Sequence, residues 1–283
     1  MKFGANTLIW TAPFTGDDLP LVNKVGEMGF DTFEFTIGEP IPLFEPAELK
    51  TALRRNGLTA TVCGSLGSHN DISSLNSDAR QKGIEFFDDV FRMMNEIEAE
   101  VFAGPLYAEL FRTRALPDDE RRAEWNRSVE ALQEVARSAE RHGVRVALEP
   151  LNRFETDFLN LTSQGVALCE AIGSDHVGLL VDSFHMNIEE KDTEAAIQSG
   201  GNWVIHVHGC ENDRGAPGSG KNIDWDGFAR GLQAIAYDGP VVIESFNRQN
   251  LDLANGARIW RDLAESQDAI AIEGLRFLRE LLG

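Results

Sequence analysis

Eight short apolar runs alternate with helix-like segments from one end of this chain to the other. The runs are FGANTLIW, FDTFEFTI, LTATVCGS, EVFAGPLY, VRVALEPL, VGLLVDSF, WVIHVHGC and PVVIESF. The clearest helical segment covers residues 117–142, where Trp125, Val129, Leu132, Val135, Ala136 and Ala139 form one stripe at steps of three and four. Pro117 and the acidic run Asp118, Asp119 and Glu120 suit its start, where the helix dipole favours negative charge. Gly143 suits its end, where a positive φ is needed. Glycines recur in the same role at Gly29-Phe30, Gly57-Leu58, Gly143-Val144 and Gly239-Pro240, between a helix and the next strand. Strict alternation of this kind makes a parallel sheet with helical crossovers. The 283 residues carry no Pro/Ser-rich linker, and they predict one (β/α)8 TIM barrel over residues 1–283. An open doubly wound sheet is the alternative. No GxGxxG or GxxxxGK[ST] motif follows a strand, so a dinucleotide or P-loop site has no support.

Four runs in the C-terminal half close on a potential metal ligand: Glu149 in VALEPL, Asp182 in GLLVDSFH, His208 in VIHVHG and Glu244 in VVIESF. Parallel strands are buried on both faces. An acidic or imidazole group at their ends needs a partner, because an unpaired buried charge is costly. One divalent cation serves all four at once. The intervals of 33, 26 and 36 residues each span about one strand–helix unit. The ligands would come from the fifth to eighth strands and converge on one side of the barrel mouth. Three carboxylates and one imidazole form a hard, oxygen-rich set that suits Mn²⁺ or Mg²⁺, with Co²⁺ as an alternative. The contrasting reading is a salt-bridged interior layer without metal. Long loops after strands three, four, five and seven (66–77, 107–116, 151–161 and 210–224) put the binding face at the C-terminal ends of the strands.

Polar residues trail these ligands. Asn152, Arg153 and Glu155 follow Glu149, His185 follows Asp182 at i+3, and Arg214 lies in the loop after His208. A polyol needs many directed hydrogen bonds, and these side chains supply candidates; Asn152 and Arg153 equally suit pairing within their own loop. His206 shares a strand face with His208 and fits a supporting or a core histidine. Glu34, in FEF, fits an interior carboxylate without an assigned role. Cys210 fits a small apolar filler, since no base or second cysteine is spaced to activate it.

The formal net charge of -20 repels phosphate backbones and anionic lipid, which disfavours nucleic acid and membranes as partners. Cys63, Cys169 and Cys210 form no CxxC and no even set, which argues for a reducing compartment. The N-terminus lacks a signal-peptide pattern and no stretch approaches the ~20 apolar residues of a membrane span. A cytoplasmic location is expected.

The stretches LEPLNRFET, VDSFHMNIEE, HVHGCENDRG and VVIESF resemble the signature of the ketose 3-epimerases. That family includes D-tagatose, D-psicose (D-allulose) and L-ribulose 3-epimerases, within the xylose-isomerase-like TIM-barrel superfamily. The likeness covers nearly the whole chain and is strongest over residues 144–246. It implies metal ligands at Glu149, Asp182, His208 and Glu244, and substrate-oxygen contacts at Glu155, His185 and Arg214. Phe246 would form an apolar wall near the sugar tail. The N-terminal half departs more: Asn6 stands where an aromatic or histidine is often found, and Leu110 where some members carry tryptophan.

The reaction so implied is inversion at C3 of a free ketose through a cis-enediolate, assisted by one divalent ion per subunit, Mn²⁺ first. Inversion needs an acid/base group on each side of C3, and Glu149 and Glu244 are the natural pair. The GAPGSG segment is the one candidate phosphate loop, and an unphosphorylated sugar is favoured over it. Competing activities on the same site are an aldose–ketose or hydroxypyruvate isomerase and an inosose-type dehydratase. An endonuclease-like phosphodiesterase would want more than six histidines and a basic groove. The resemblance also implies a homodimer or homotetramer. The amphipathic stretch 259–282 would pack on the barrel or on a partner.

Overall fold

The computed structural model describes residues 1–246 and 248–283. Eight strands are present: β1 Lys2–Asn6, β2 Thr32–Thr36, β3 Thr59–Cys63, β4 Val101–Gly104, β5 Arg145–Leu148, β6 Val177–Asp182, β7 Val204–Gly209 and β8 Pro240–Ile243. They form a closed barrel in chain order, every neighbour parallel, with β8 returning to β1 through Phe3↔Val241 and Gly4↔Val242. Closure leaves the sheet no edge, and the helices between strands cover its outer face.

The strands are shorter than the apolar runs that contain them. In FGANTLIW the strand stops at Asn6, because the Asn6 side chain accepts the Leu8 N–H and turns the chain into a 3₁₀ segment, Thr7–Ile9. The helix Asp118–His142 begins just after Pro117 and ends at Gly143 with φ 66. Gly29 (φ 92) and Gly57 (φ 67) play the expected part, but Gly239 does not. The helix Trp225–Ala234 turns instead at Ala236, with φ 52, and the Tyr237 N–H closes back on the Leu232 carbonyl. Gly104 is required for a different reason. With φ 135, a Cβ there would lie 2.1 Å from the Gly64 carbonyl oxygen, so only glycine lets the ends of β3 and β4 meet under the site.

Polar and apolar residues divide the barrel interior. Val101, Ala103, Ala147 and Leu180 form a small cluster across β4, β5 and β6. Asn6, Glu34, Thr61, His206 and His208 are buried on β1, β2, β3 and β7. The C-terminal helix Gln267–Leu282 buries Ile270, Leu275 and Leu278 and contacts β1, β8 and the helix Trp225–Ala234, so it packs on its own barrel. No helix among the described residues is long and apolar enough to cross a membrane.

Candidate active site

The four candidate ligands do converge. Asp182 ends β6, His208 is the penultimate residue of β7, and Glu149 and Glu244 follow directly on β5 and β8. One donor atom from each lies within 4.8 Å of all the others, and all four residues are buried. Glu149 Oε1 and His208 Nδ1 have no hydrogen-bond partner among the described residues. Orphaned buried acceptors of this kind are costly. Three carboxylate oxygens and one imidazole nitrogen at such spacing therefore fit a divalent cation.

The electrostatics of the cluster follow from burial and crowding. Burial, then the negative charge of Glu244, pushes the Glu149 carboxyl well above the usual carboxylate range. Burial also raises Asp182, with Glu244 adding to it against the pull of Arg214. For Glu244 burial is outweighed by His208 and Arg214, which hold it low. Burial works against a charged His208, but Glu34 and Glu244 outweigh it and raise that imidazole well above its ordinary value.

Arg214 sits where the ligand and pocket residues meet. Its Nη1 donates to Asp182 Oδ2 at 2.6 Å and to Glu244 Oε2 at 2.8 Å. The guanidinium lies over the rings of Phe184 and Phe246, whose centroids are 4.0 and 4.9 Å from Cζ. Its own backbone is left-handed at φ 67, a costly conformation for a side-chain-bearing residue. So Arg214 touches the ligand carboxylates as well as the pocket, whereas sequence reasoning placed it on the substrate side alone. Phe184 was missed. It follows Asp182 by two, and nothing in the order of residues tells which ring will cover a loop arginine.

His185 is oriented by Asn152. The Asn152 backbone N–H donates to His185 Nδ1 at 3.0 Å, which sets the orientation of the ring. Nε2 faces the Arg214 Nη2 donor at 3.0 Å and lies 3.7 Å from Glu149 Oε1. Burial, then the charge of Arg214, holds His185 neutral. The Asn152 side chain also donates to Glu155 Oε1 at 2.8 Å. Asn152 thus orients two of the predicted substrate contacts, while Arg153 is exposed and pairs with Glu189.

A cavity of about 580 Å³ opens over the cluster. Glu149, Glu155, His185, Arg214, Glu244 and Phe246 all line it, whereas Asp182 and His208 lie behind. Leu8, Ile37, Leu110 and Phe111 add apolar lining, alongside the polar Glu39, His69 and Asn70. Leu110 therefore faces the pocket as its position suggested. Asn6 is buried below the pocket and bonds to Glu34 at 2.8 Å. Cys210 is fully buried, with Sγ 3.5 Å from Arg214 Nη1, and burial raises its thiol well above the ordinary range. GAPGSG is no open anion cradle: the Gly218 N–H and Trp225 Nε1 both donate to the Glu211 carboxylate.

Residues 22–281 match the family model described as xylose isomerase-like TIM barrel. A probable ketose 3-epimerase from Synechocystis sp. is 35% identical over 280 residues, covering 99% of this chain and 96% of that one. The D-psicose 3-epimerase of Ruminiclostridium cellulolyticum is 32% identical over 273 residues, covering 95% and 92%. The crystal structure of D-psicose 3-epimerase with D-tagatose from Clostridium cellulolyticum matches with a TM-score of 0.92 at 32% identity, covering 100% of this chain and 99% of that one. A closed eight-stranded barrel with this cluster at its mouth and these relatives along its length make one conclusion: the chain belongs to the xylose isomerase-like TIM barrels and, among them, to the ketose 3-epimerases, isomerases of ketose sugars.

Proposed function

We propose that this chain inverts C3 of an unphosphorylated ketohexose or ketopentose, with Glu149 and Glu244 as the two acid/base groups. The observation that carries the reading is their position: they are the two members of the four-residue cluster that also line the cavity. The C2 carbonyl acidifies the C3 proton. One glutamate removes that proton, leaving a cis-enediolate, and the other delivers a proton to the opposite face. A divalent ion held by Glu149, Asp182, His208 and Glu244, Mn²⁺ before Mg²⁺ or Co²⁺, would supply Lewis-acid stabilisation of the developing charge.

The remaining residues bind and orient. The Arg214 guanidinium donates to the oxygens at C1 to C3, His185 Nε2 faces the same oxygens, and Glu155 accepts from a hydroxyl. Phe246 and the apolar wall keep water from the sugar tail. Internal partners for the GAPGSG backbone donors, Glu211 for Gly218 N–H, Asp213 for Gly215 N–H and the Ala216 carbonyl for Ser219 N–H, support a substrate without phosphate. Three buried free thiols support a reducing, cytoplasmic setting. A homodimer or homotetramer remains the expected assembly.

The test is NMR of ketose mixtures incubated with the enzyme in D₂O. Deuterium at C3 of an epimerised ketose is the expected result, because each face has its own exchangeable carboxyl group. Deuterium at C1 alone, with an aldose as product, would make the enzyme an aldose–ketose isomerase. A product that has lost a hydroxyl would make it a dehydratase.

A further inference from the structure

Below the ligand cluster lies a second buried group of ionisable residues that the reaction does not use. Glu34, in the middle of β2, has no exposed surface. Each of its two carboxylate oxygens meets two donors. Oε1 takes Asn6 Nδ2 at 2.8 Å and His208 Nε2 at 2.7 Å. Oε2 takes Thr61 Oγ1 at 2.8 Å and His206 Nε2 at 2.7 Å. An ionised carboxylate offers about four lone-pair sites, and here all are occupied. The donors come from β1, β3 and β7, so one side chain ties three strands together inside the barrel.

We propose that Glu34 is the positioning residue for His208, fixing which ring nitrogen meets the metal. A carboxylate only accepts, so the proton of His208 must sit on Nε2. When the ring gives up its second proton to a metal, Nδ1 is the nitrogen that presents a lone pair to the ligand cluster, where it lies 3.4 Å from Glu244 Oε1. The Glu34 carboxylate is itself held against rotation. Asn6 Oδ1 accepts the Leu8 N–H at 2.9 Å, which leaves Nδ2 as the atom facing Glu34. Thr61 and His206 pin the other oxygen. Hydrogen bonds of this kind commonly set the orientation and basicity of a metal-binding imidazole. The inference rests on the metal site read above but not on the sugar chemistry.

Metal binding and ring tautomer are both read without sugar, so this proposal and the C3 reading stand or fall separately. Glu34→Gln replaces two acceptors by one acceptor and one donor, which cannot serve both histidines. The Kd for Mn²⁺, measured by calorimetry on purified apoprotein, should weaken about tenfold to hundredfold. Thr61→Val leaves the His208 contact intact and should change it by less than about threefold, below the range expected for lost ligand support. Nitrogen-15 spectra of histidine-labelled, Mg²⁺-loaded wild-type protein should show His208 protonated at Nε2 and not at Nδ1. This measurement decides the matter even if Glu34→Gln fails to fold. A folded Glu34→Gln protein with wild-type Mn²⁺ affinity would overturn the proposal, as would a His208 unprotonated at Nε2.

Discussion

Two buried charge clusters stand at the same face of the barrel, and they behave as opposites. At the mouth, Glu149, Asp182 and Glu244 crowd together around the guanidinium of Arg214, and Glu149 and Glu244 face the cavity. In the neighbouring loops, Arg112 donates to Asp71 Oδ2 and Ser73 Oγ at 2.9 Å each, and lies 3.2 Å from Glu124 and 3.5 Å from Asp157. Arg114 reaches Glu124 and Asp157, while Arg121 and Arg127 bond to carbonyls beside them. There the cations match the carboxylates, and the effect is to join two loops. The Phe111 N–H bonds to the Glu155 carbonyl, and the Asp157 N–H to that of Arg112. The loop cluster thus holds the segment carrying Glu155 in place. Burial of charge does not by itself mark a reactive site; excess of one sign, facing a cavity, does.

The comparison can be broken experimentally, and the largest effect belongs to the mouth. Exhaustive chelation should abolish turnover, and Mn²⁺, Co²⁺ or Mg²⁺ should restore it. Full activity in protein shown to be metal-free by elemental analysis would sink the metal reading.

Next in size are Glu149→Gln and Glu244→Gln. Each keeps the shape of its side chain but removes a base, and should slow epimerisation by at least about 10²-fold. Thermal melting of the Glu149→Gln apoprotein should be no lower than wild type, since burial and Glu244 already favour an uncharged group there. A variant that keeps its rate would remove that residue from the acid/base pair.

Arg112→Ala should do the reverse. It leaves buried Asp71 without a cation and Glu124 and Asp157 with Arg114 alone, and should cost about 3–5 kcal/mol of stability, read from denaturant unfolding. Mn²⁺ affinity of the folded fraction should stay near wild type. An unfolding midpoint that does not move would mean the loop cluster is not the structural one.

The smallest effect sharpens the electrostatic side. Burial and Glu244 raise Glu149, and Glu34 and Glu244 raise His208 against burial. Both must lose a proton to act as ligands. Affinity for Mn²⁺ should therefore fall as pH falls through their raised values, by up to about tenfold per pH unit for each proton displaced. Calorimetry over a series of pH values checks this; a flat profile would show that these groups are already deprotonated in the apoprotein.

Much of this molecule was legible in the residue order. Apolar runs at the spacing of strand–helix units led to eight parallel strands, because burial on both faces leaves a strand little choice of composition. Glu149, Asp182, His208 and Glu244 stood out for the same reason: each breaks an apolar run where a charge must find a partner. Helix ends were read less well where no glycine marked them, as at Ala236, since other contacts impose that turn.

Only closure of the barrel decided the rest. Glu34 is more than 170 residues from His206 and His208 in sequence, yet bonds to both. The order FEF says that a carboxylate is buried, not what it meets across the barrel. Likewise Phe184, in the helix Ser183–Glu189, and Phe246, after β8, both reach Arg214, and Asn152 turns His185 from the loop after β5. Local pattern determines which side chains are buried, because burial follows from the period of each element. Which buried groups touch depends on how strands are placed around the closed barrel, and that belongs to the chain as a whole.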